Sequence, residues 1–193
     1  MNLVERVKNI LLSPVSEWDV IKGETYTAAE LFTQYAIILA AIPALAGFIG
    51  FSLIGYSFGV GTFRLPIGYG LAYCVTSYIM SLAGVYILAI VIDRLSPNFG
   101  ASQDMAAALK IAVFSMTPYW IGGIFLLIPS LSIITMIAGI YGLYLLFLGI
   151  KQLKDVPSDK QVTFFIIIVL VTVIIQVIIS AVVHSVSFPR PVL

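Results

Sequence analysis

The chain has 193 residues, of which 61% are hydrophobic and only 10% charged, whereas a soluble domain carries roughly a quarter charged residues. With a mean hydropathy of +1.10, its apolar surface exceeds what one core can bury and must face lipid. The net charge of +1 argues against a nucleic-acid partner, and the single cysteine, Cys74, excludes an intrachain disulfide. These numbers indicate a polytopic membrane protein.

Residues 1–30 predict cytoplasmic or interfacial helices. Charged residues, Arg6 among them, occupy one face of the first helix, and the apolar face comprises Leu3, Val4, Val7, Ile10 and Leu11. That spacing is typical of an amphipathic helix that lies on a bilayer or packs on the body of the protein. Ser13 and Pro14 predict the start of a second short helix. We expect its Trp18 at the level of the lipid headgroups, with the ring buried and the N–H in water.

Five long apolar runs predict five transmembrane helices in a single domain, residues 1–193. They cover about residues 31–56, 66–92, 105–128, 131–150 and 162–183. Thr27 and Glu30 have the spacing of a capping box at the start of the first span. Pro43 and Pro118 lie inside the first and third spans and are expected to kink them. The predicted fold class is all-α, a polytopic membrane helical bundle with a short N-terminal interfacial helix.

The fourth span and the turn after it, "YGLYLLFLGIKQLKDVPSDK", combine small residues with tyrosines. At about 100° per residue, Ala138, Gly142 and Gly149 fall within roughly 40° of one another and form a groove for a close helix neighbour. Tyr141 and Tyr144 form a separate stripe beside that groove. Two interpretations stay open: the tyrosines are hydrogen-bond donors inside a packed bundle, or they line a binding cavity.

The sequence contains few of the residue types that catalysis requires. No carboxylate lies within a predicted span, no hydrolase or phosphate-binding motif occurs, and His184 is the only histidine. We therefore expect no catalytic residue, no metal site and no cofactor. Gln176 in the fifth span either hydrogen-bonds a neighbouring helix or lines a polar route. The break at Pro118 either offers exposed backbone to a ligand or is a packing bend.

The positive charges predict the topology. If the N-terminus is cytoplasmic, eight of the ten basic residues fall on the inner side: Arg6, Lys8, Lys22, Arg94, Lys110, Lys151, Lys154 and Lys160. Arg64 and Arg190 are then outside. By the positive-inside rule we expect a multi-pass protein of the cell membrane, with its N-terminus in the cytoplasm and its C-terminus outside.

The order of these segments resembles the bacterial branch of the Yip1 family. "YGLYLLFLGIKQLKDVPSDK" is similar to the end of that family's fourth span, and "LSPVSEWDVIKGE" to its N-terminal element, here carried by Pro14, Trp18 and Ile21. The resemblance implies a five-helix membrane protein with a cytoplasmic N-terminus. Eukaryotic members act in vesicle traffic with Rab-type GTPases and in membrane shaping. This chain lacks their Asp-Leu-Tyr-Gly-Pro element, so the resemblance implies the fold and not that partner.

Two functional hypotheses follow. The first is a non-enzymatic membrane organiser or adaptor in which Trp18 contacts the inner leaflet or a partner. Lys151 and Lys154 would add about 1 kcal/mol each toward anionic lipid. The alternative is a small transporter, channel or lipid-moving protein with a cavity between spans one, three and four. Under either hypothesis the partners are the lipid bilayer, a second copy of the chain, or another membrane protein.

The topology is tested by a reporter that is active only in the cytoplasm. Fused after Leu193 it is expected to stay inactive, because the fifth span carries the C-terminus to the outer side. The same reporter fused before the first span is the control and is expected to be active. Activity of the C-terminal fusion would contradict the predicted orientation.

Overall fold

The computed structural model describes residues 2–57 and 61–187. Arg190 and the rest of the predicted C-terminal tail lie outside the described residues. In chain order the helices are α1 Leu3–Leu12, α2 Pro14–Gly23, α3 Ala28–Ile54, α4 Ile67–Leu95, α5 Met105–Ser115, α6 Thr117–Gly122, α7 Ser132–Leu153 and α8 Gln161–Ser187. Two short strands, β1 Tyr56–Ser57 and β2 Thr62–Phe63, pair antiparallel after α3.

Within the described residues, five helical segments are long and apolar enough to cross a membrane. They are Ala28–Ile54, Ile67–Phe99, Met105–Leu127, Pro129–Leu153 and Gln161–Ser187. The five-span, all-α prediction is therefore confirmed. The second span continues beyond its predicted end because Asp93 and Arg94 stay helical, with Asp93 facing Lys154 from the turn after the fourth span.

The third span, Met105–Leu127, is the centre of the bundle. Of its most apolar window 72% is buried, against 17% for α8, which lies at the periphery and packs mainly on α4. Ile111, Val113 and Phe114 are fully buried although they point in different directions around α5. A helix that is apolar all round must be enclosed by other helices, and this segment meets that condition.

The first span begins with the predicted capping box. The backbone N–H of Glu30 donates to Thr27 Oγ1 at 3.2 Å, and the N–H of Thr27 donates to Glu30 Oε2 at 2.8 Å. Farther along, Pro43 packs directly on the third span, where a Cβ added to Gly123 would collide with the proline ring. Gly50 lies even closer to the third span, since a Cβ added there would overlap the carbonyl oxygen of Leu126. These contacts bring spans one and three together, and the cavity of about 470 Å³ that the described residues form has no lining residue from span one.

The break in the third span is closed by side chains. Proline at position 118 cannot donate to the carbonyl of Phe114. Thr117 Oγ1 donates to that carbonyl instead, at 2.7 Å, and Tyr35 from α3 lies 2.7 Å from the same hydroxyl. Since the hydroxyl proton of Thr117 is already used, Tyr35 is the donor of the second bond. Pro118 is buried, and the bend is a packing feature held by hydrogen bonds.

Two further hydrogen bonds fix α6 from other spans. Trp120 Nε1 donates to Ser81 Oγ of α4 at 3.0 Å, and Thr135 Oγ1 of α7 donates to the carbonyl of Gly122 at 2.8 Å. The first, second and fourth spans each contribute one polar side chain to the bend. In an apolar interior such bonds are favoured because an unpaired polar group would cost more than the bond itself contributes.

Candidate functional site

Helices α1 and α2 pack on each other as the N-terminal hairpin (Leu3–Gly23), which also contacts the third and fourth spans. Ser13 joins the two helices, and Pro14 occupies the first position of α2, where its missing N–H costs nothing. The hairpin buries three side chains completely: Ile10, Trp18 and Ile21. One face of the pair is therefore part of the protein core rather than resting on a membrane surface.

The structure corrects the expected position of Trp18. Its ring is fully buried and lies over Gly149, where an added Cβ would be 2.8 Å from the ring. It also meets Phe114 edge to face, with the ring centroids 6.3 Å apart. The ring enters because Gly149 carries no side chain, and in this position Trp18 contacts neither headgroups nor a partner.

Arg6 also faces inward, contrary to the sequence expectation. Its guanidinium donates to Glu17 and, at 2.6 Å, to Glu24, and its central carbon lies 5.7 Å from the ring centroid of Phe114. Burial opposes its charge, but the hydrogen bond to Glu24 and the charge of Glu17 outweigh this and raise the pKa of Arg6. Burial and a hydrogen bond to Glu24 raise the pKa of Tyr26, whose hydroxyl donates to that carboxylate at 2.7 Å. The paired carboxylates allow a guanidinium to lie inside the protein.

Lys110 of the third span holds the end of α2. Its Nζ donates to the backbone carbonyls of Ile21 and Glu24, both at 2.9 Å. A cation at the C-terminal end of a helix satisfies carbonyls that have no partner within the helix and suits the helix dipole. Lys110 is itself buried, so its charge serves the attachment of the hairpin.

The two lysines proposed for lipid contact differ in exposure. The side chain of Lys154 is 2% exposed, and its Nζ lies 3.7 Å from Asp93 Oδ1 and donates at 3.0 Å to the carbonyl of Asp104. Burial lowers the pKa of Lys154, and the charges of Asp93 and Asp104 oppose that shift. Lys154 therefore joins the turns that follow the second and fourth spans and does not face lipid, which corrects the expectation. Lys151 is exposed, and its contact with lipid stays a prediction.

Tyr141 and Tyr144 have different environments although they are one helical turn apart. The hydroxyl of Tyr141 donates to the backbone carbonyl of Leu11, the residue before the end of α1, at 2.9 Å. Tyr144 is 45% exposed and touches Tyr141 with ring centroids 5.7 Å apart. Neither side chain belongs to the lining of the cavity that the described residues form between the third, fourth and fifth spans. Tyr141 binds a neighbouring helix, and Tyr144 lies on the surface.

The Tyr141–Leu11 bond defines how deep the hairpin lies. Tyr141 is twelve residues before the end of α7 at Leu153, which corresponds to about 18 Å along the helix. Arg6 lies against Phe114, nine residues into the third span, which corresponds to about 14 Å. The corner of the hairpin thus lies beside the apolar part of two spans. At this corner the side chains of Leu12 and Val15 are 72% and 53% exposed.

The small residues of the fourth span each receive a different neighbour. Gly149 accommodates the ring of Trp18, and a Cβ on Gly142 would lie 2.8 Å from the carbonyl oxygen of Ser115. Ala138 lies against Gly122, where an added Cβ would collide with it. The groove therefore brings together α2, α5 and α6 on one side of α7.

A cavity of about 470 Å³ lies between the third span, α7 and α8, with Leu88 of α4 at its inner wall. Its lining is largely apolar and includes no residue of the first span. Five of the lining residues carry polar side-chain atoms: Ser115, Tyr119, Thr172, Gln176 and Ser180. Gln176 therefore faces a cavity, and its amide forms no hydrogen bond within the described part of the chain.

This architecture is that of a five-span membrane protein with an embedded N-terminal hairpin. The Yip1 domain matches residues 8–181, and the chain belongs to the Yip1 domain family. It is 30% identical over 165 residues to the inner membrane protein YohC of Escherichia coli strain K12. The matched segment covers 83% of this chain and 85% of YohC. YohC of Escherichia coli O6:H1 gives the same values, and no solved structure matches. The family resemblance and the multi-pass membrane location are confirmed.

Replacing Arg6 by Met is expected to destabilise the protein by about 3–5 kcal/mol, because Glu17 would stay buried without its partner. The measurement is the free energy of unfolding in detergent. The double variant Arg6→Met/Glu17→Met is expected to recover part of the loss. Lys8→Met, an exposed change on the same helix, is the control and should stay within about 0.5 kcal/mol of the wild type. Equal effects of Arg6→Met and Lys8→Met would contradict the buried ion pair.

The two tyrosines provide a matched pair for testing the attachment of the hairpin. Tyr141→Phe removes the hydrogen bond to Leu11 and is expected to cost about 0.5–1.5 kcal/mol. It should also speed proteolysis near Ser13, because the hairpin opens more often. Tyr144→Phe removes a hydroxyl that bonds nothing in the described residues and should change neither quantity. Equal proteolysis of the two variants would count against the attachment.

Proposed function

We propose that this chain is a non-enzymatic membrane-organising protein whose N-terminal hairpin occupies space in one leaflet of the bilayer. The observation that supports this is the bond between Tyr141 and Leu11, which holds the corner of the hairpin beside the apolar part of the fourth span. An amphipathic helix bound only by its own apolar face enters about 5–10 Å into the interface. Here the depth is set by the bundle.

The charges of the hairpin support this arrangement. Arg6 and Glu17 neutralise each other inside the protein, and Lys110 satisfies the end of α2. The corner of the hairpin can therefore lie below the headgroups without exposing these charges to lipid. The other charged side chains of the hairpin, Glu5, Lys8, Asp19 and Lys22, are exposed and stay at the level of the headgroups or in water. Its outer side offers apolar contact through Leu12 and Val15 at the corner. Helices inserted into one leaflet expand that leaflet and not the other. This favours a bilayer that is convex on the side of the inserted helices.

We assign the hairpin to the cytoplasmic leaflet on the basis of the positive-inside rule. The exposed Lys151 at the end of α7 would attract anionic lipid to the same side, contributing about 1 kcal/mol. A non-enzymatic role is supported by three acidic side chains near the hairpin, which already form ion pairs or hydrogen bonds. Glu17 and Glu24 pair with Arg6, and Asp104 caps α5 by accepting from the N–H of Ala107.

Reconstitution into vesicles tests the proposal. At a fixed protein-to-lipid ratio, the wild type is expected to give smaller or tubulated vesicles, measured by electron cryo-microscopy. Leu12→Ser/Val15→Ser is expected to lose half or more of that effect, because polar side chains at the corner favour a shallower position. Leu170→Ser/Val162→Ser changes the same residue types at exposed positions of α8 and should behave as the wild type.

The depth of the hairpin is measured independently. A spin label on Leu12→Cys, with Cys74→Ser to remove the native thiol, is expected to be accessible to oxygen and protected from a water-soluble relaxation agent. A label that the aqueous agent reaches freely would overturn the embedded hairpin. Vesicles of unchanged diameter with an embedded label would overturn the membrane-shaping role alone.

A further inference from the structure

The cavity between the third span, α7 and α8 opens toward the bilayer. Helix α8 packs mainly on α4 and touches α7 only slightly, which leaves a gap between α7 and α8. Four cavity residues on the two sides of this gap are more than half exposed: Met136, Ile140, Val173 and Val177. In a membrane-spanning region these exposed apolar side chains face lipid, so a molecule enters the cavity from the bilayer.

Four polar side chains of the cavity have no hydrogen-bond partner among the described residues: Ser115, Tyr119, Gln176 and Ser180. Ser115 is 4% exposed, and its Oγ is buried without a hydrogen bond in the part of the chain that the structure describes. Gln176 is an exposed residue of the cavity lining, and its amide also forms no hydrogen bond among the described residues. By contrast, Thr172 Oγ1 donates to the carbonyl of Ile168. An unpaired polar group away from water costs free energy, so Ser115 and Gln176 together favour a ligand with hydrogen-bonding oxygens.

The depth and charge of the site restrict the class of ligand. Gln176 lies about 22 Å from the start of α8 and about 16 Å from its end, which is close to the middle of the helix. The headgroup and ester linkages of a phospholipid stay at the interface and do not reach this depth. No charged side chain lines the cavity. The volume of about 470 Å³ lies in the range of roughly 300–1,000 Å³ of small-molecule sites.

We propose that this cavity binds an uncharged bilayer lipid of the isoprenoid quinone type. Its chain would lie along the apolar gap between α7 and α8, and its ring would lie among the apolar side chains. Ser115 and Gln176 would donate hydrogen bonds to its carbonyl oxygens. A quinone is uncharged and moves within the hydrocarbon region of the bilayer. This matches the depth of Ser115 and Gln176.

Gly139 offers a way to fill the cavity without disturbing the backbone. It lines the cavity, and an added Cβ would meet only a ring carbon of Tyr119 at 3.8 Å, an ordinary contact. Gly139→Leu therefore places a side chain in the space assigned to the ligand. Gly68→Leu is the matched control, because nothing lies within 4 Å of a Cβ at Gly68.

The test is a titration of the purified full chain with a ubiquinone carrying two isoprene units. The readouts are the midpoint of thermal unfolding and the mass of the intact complex. A ligand that binds the folded state raises the unfolding midpoint in a saturable way. The wild type and Gly68→Leu are expected to show this rise, and Gly139→Leu to lose it.

Ser115→Ala/Gln176→Leu tests the polar part of the site. It is expected to weaken quinone binding about tenfold, as the loss of two ordinary hydrogen bonds predicts, and to leave binding of a saturated hydrocarbon of similar length unchanged. Three outcomes would overturn the proposal: no saturable quinone effect on the wild type, an equal effect on Gly139→Leu, or co-purification of phospholipid that quinone does not displace. Unfolding of each variant without ligand shows whether it is folded before the titration.

Discussion

The structure depends on the neutralisation of Arg6. A guanidinium at the level of Phe114 lies beside the buried third span, where an unpaired charge would be very costly. Glu17 and Glu24 approach it from α2 and the turn that follows, so the ion pairs form only when the two helices of the hairpin are packed together. Lys110 then binds the end of α2 to α5. These ion pairs and the Lys110 bonds make the hairpin part of the bundle. A helix bound to lipid alone would not form them.

The bend in the third span places two different surfaces next to each other. Phe114 meets Arg6 and Trp18 of the hairpin, whereas Ser115, the next residue, lies in the wall of the cavity. The hydrogen bonds of Tyr35 and Thr117 hold the helix at this point, so the positions of both surfaces relative to the bend are fixed.

The spans and the capping box could be predicted because each depends on residues that are near one another in sequence. Thr27 and Glu30 are three residues apart, and an apolar run is visible in any short window. The inward position of Arg6 could not be predicted, because helical periodicity assigns a charged residue to the polar face. Its partners are 11 and 18 residues away, on another helix and in the turn after that helix. Likewise the groove at Gly142 and Gly149 predicted a close neighbour, but only the packed structure shows that one neighbour is the ring of Trp18.

The location of the cavity follows from one contact before α8 and one along it. Lys154 binds Asp93 and the carbonyl of Asp104, which fixes the turn before α8 beside the C-terminal end of α4. Farther along, Ile179 fits against Gly84 of α4 so closely that an added Cβ would lie 2.6 Å from it. Two separated contacts with α4 determine the direction of α8, and that direction leads away from α7. The gap between α7 and α8 is therefore set by specific packing. Because the helices are held apart, they cannot approach each other to pair the polar groups of the cavity, and in our proposal a ligand pairs them instead.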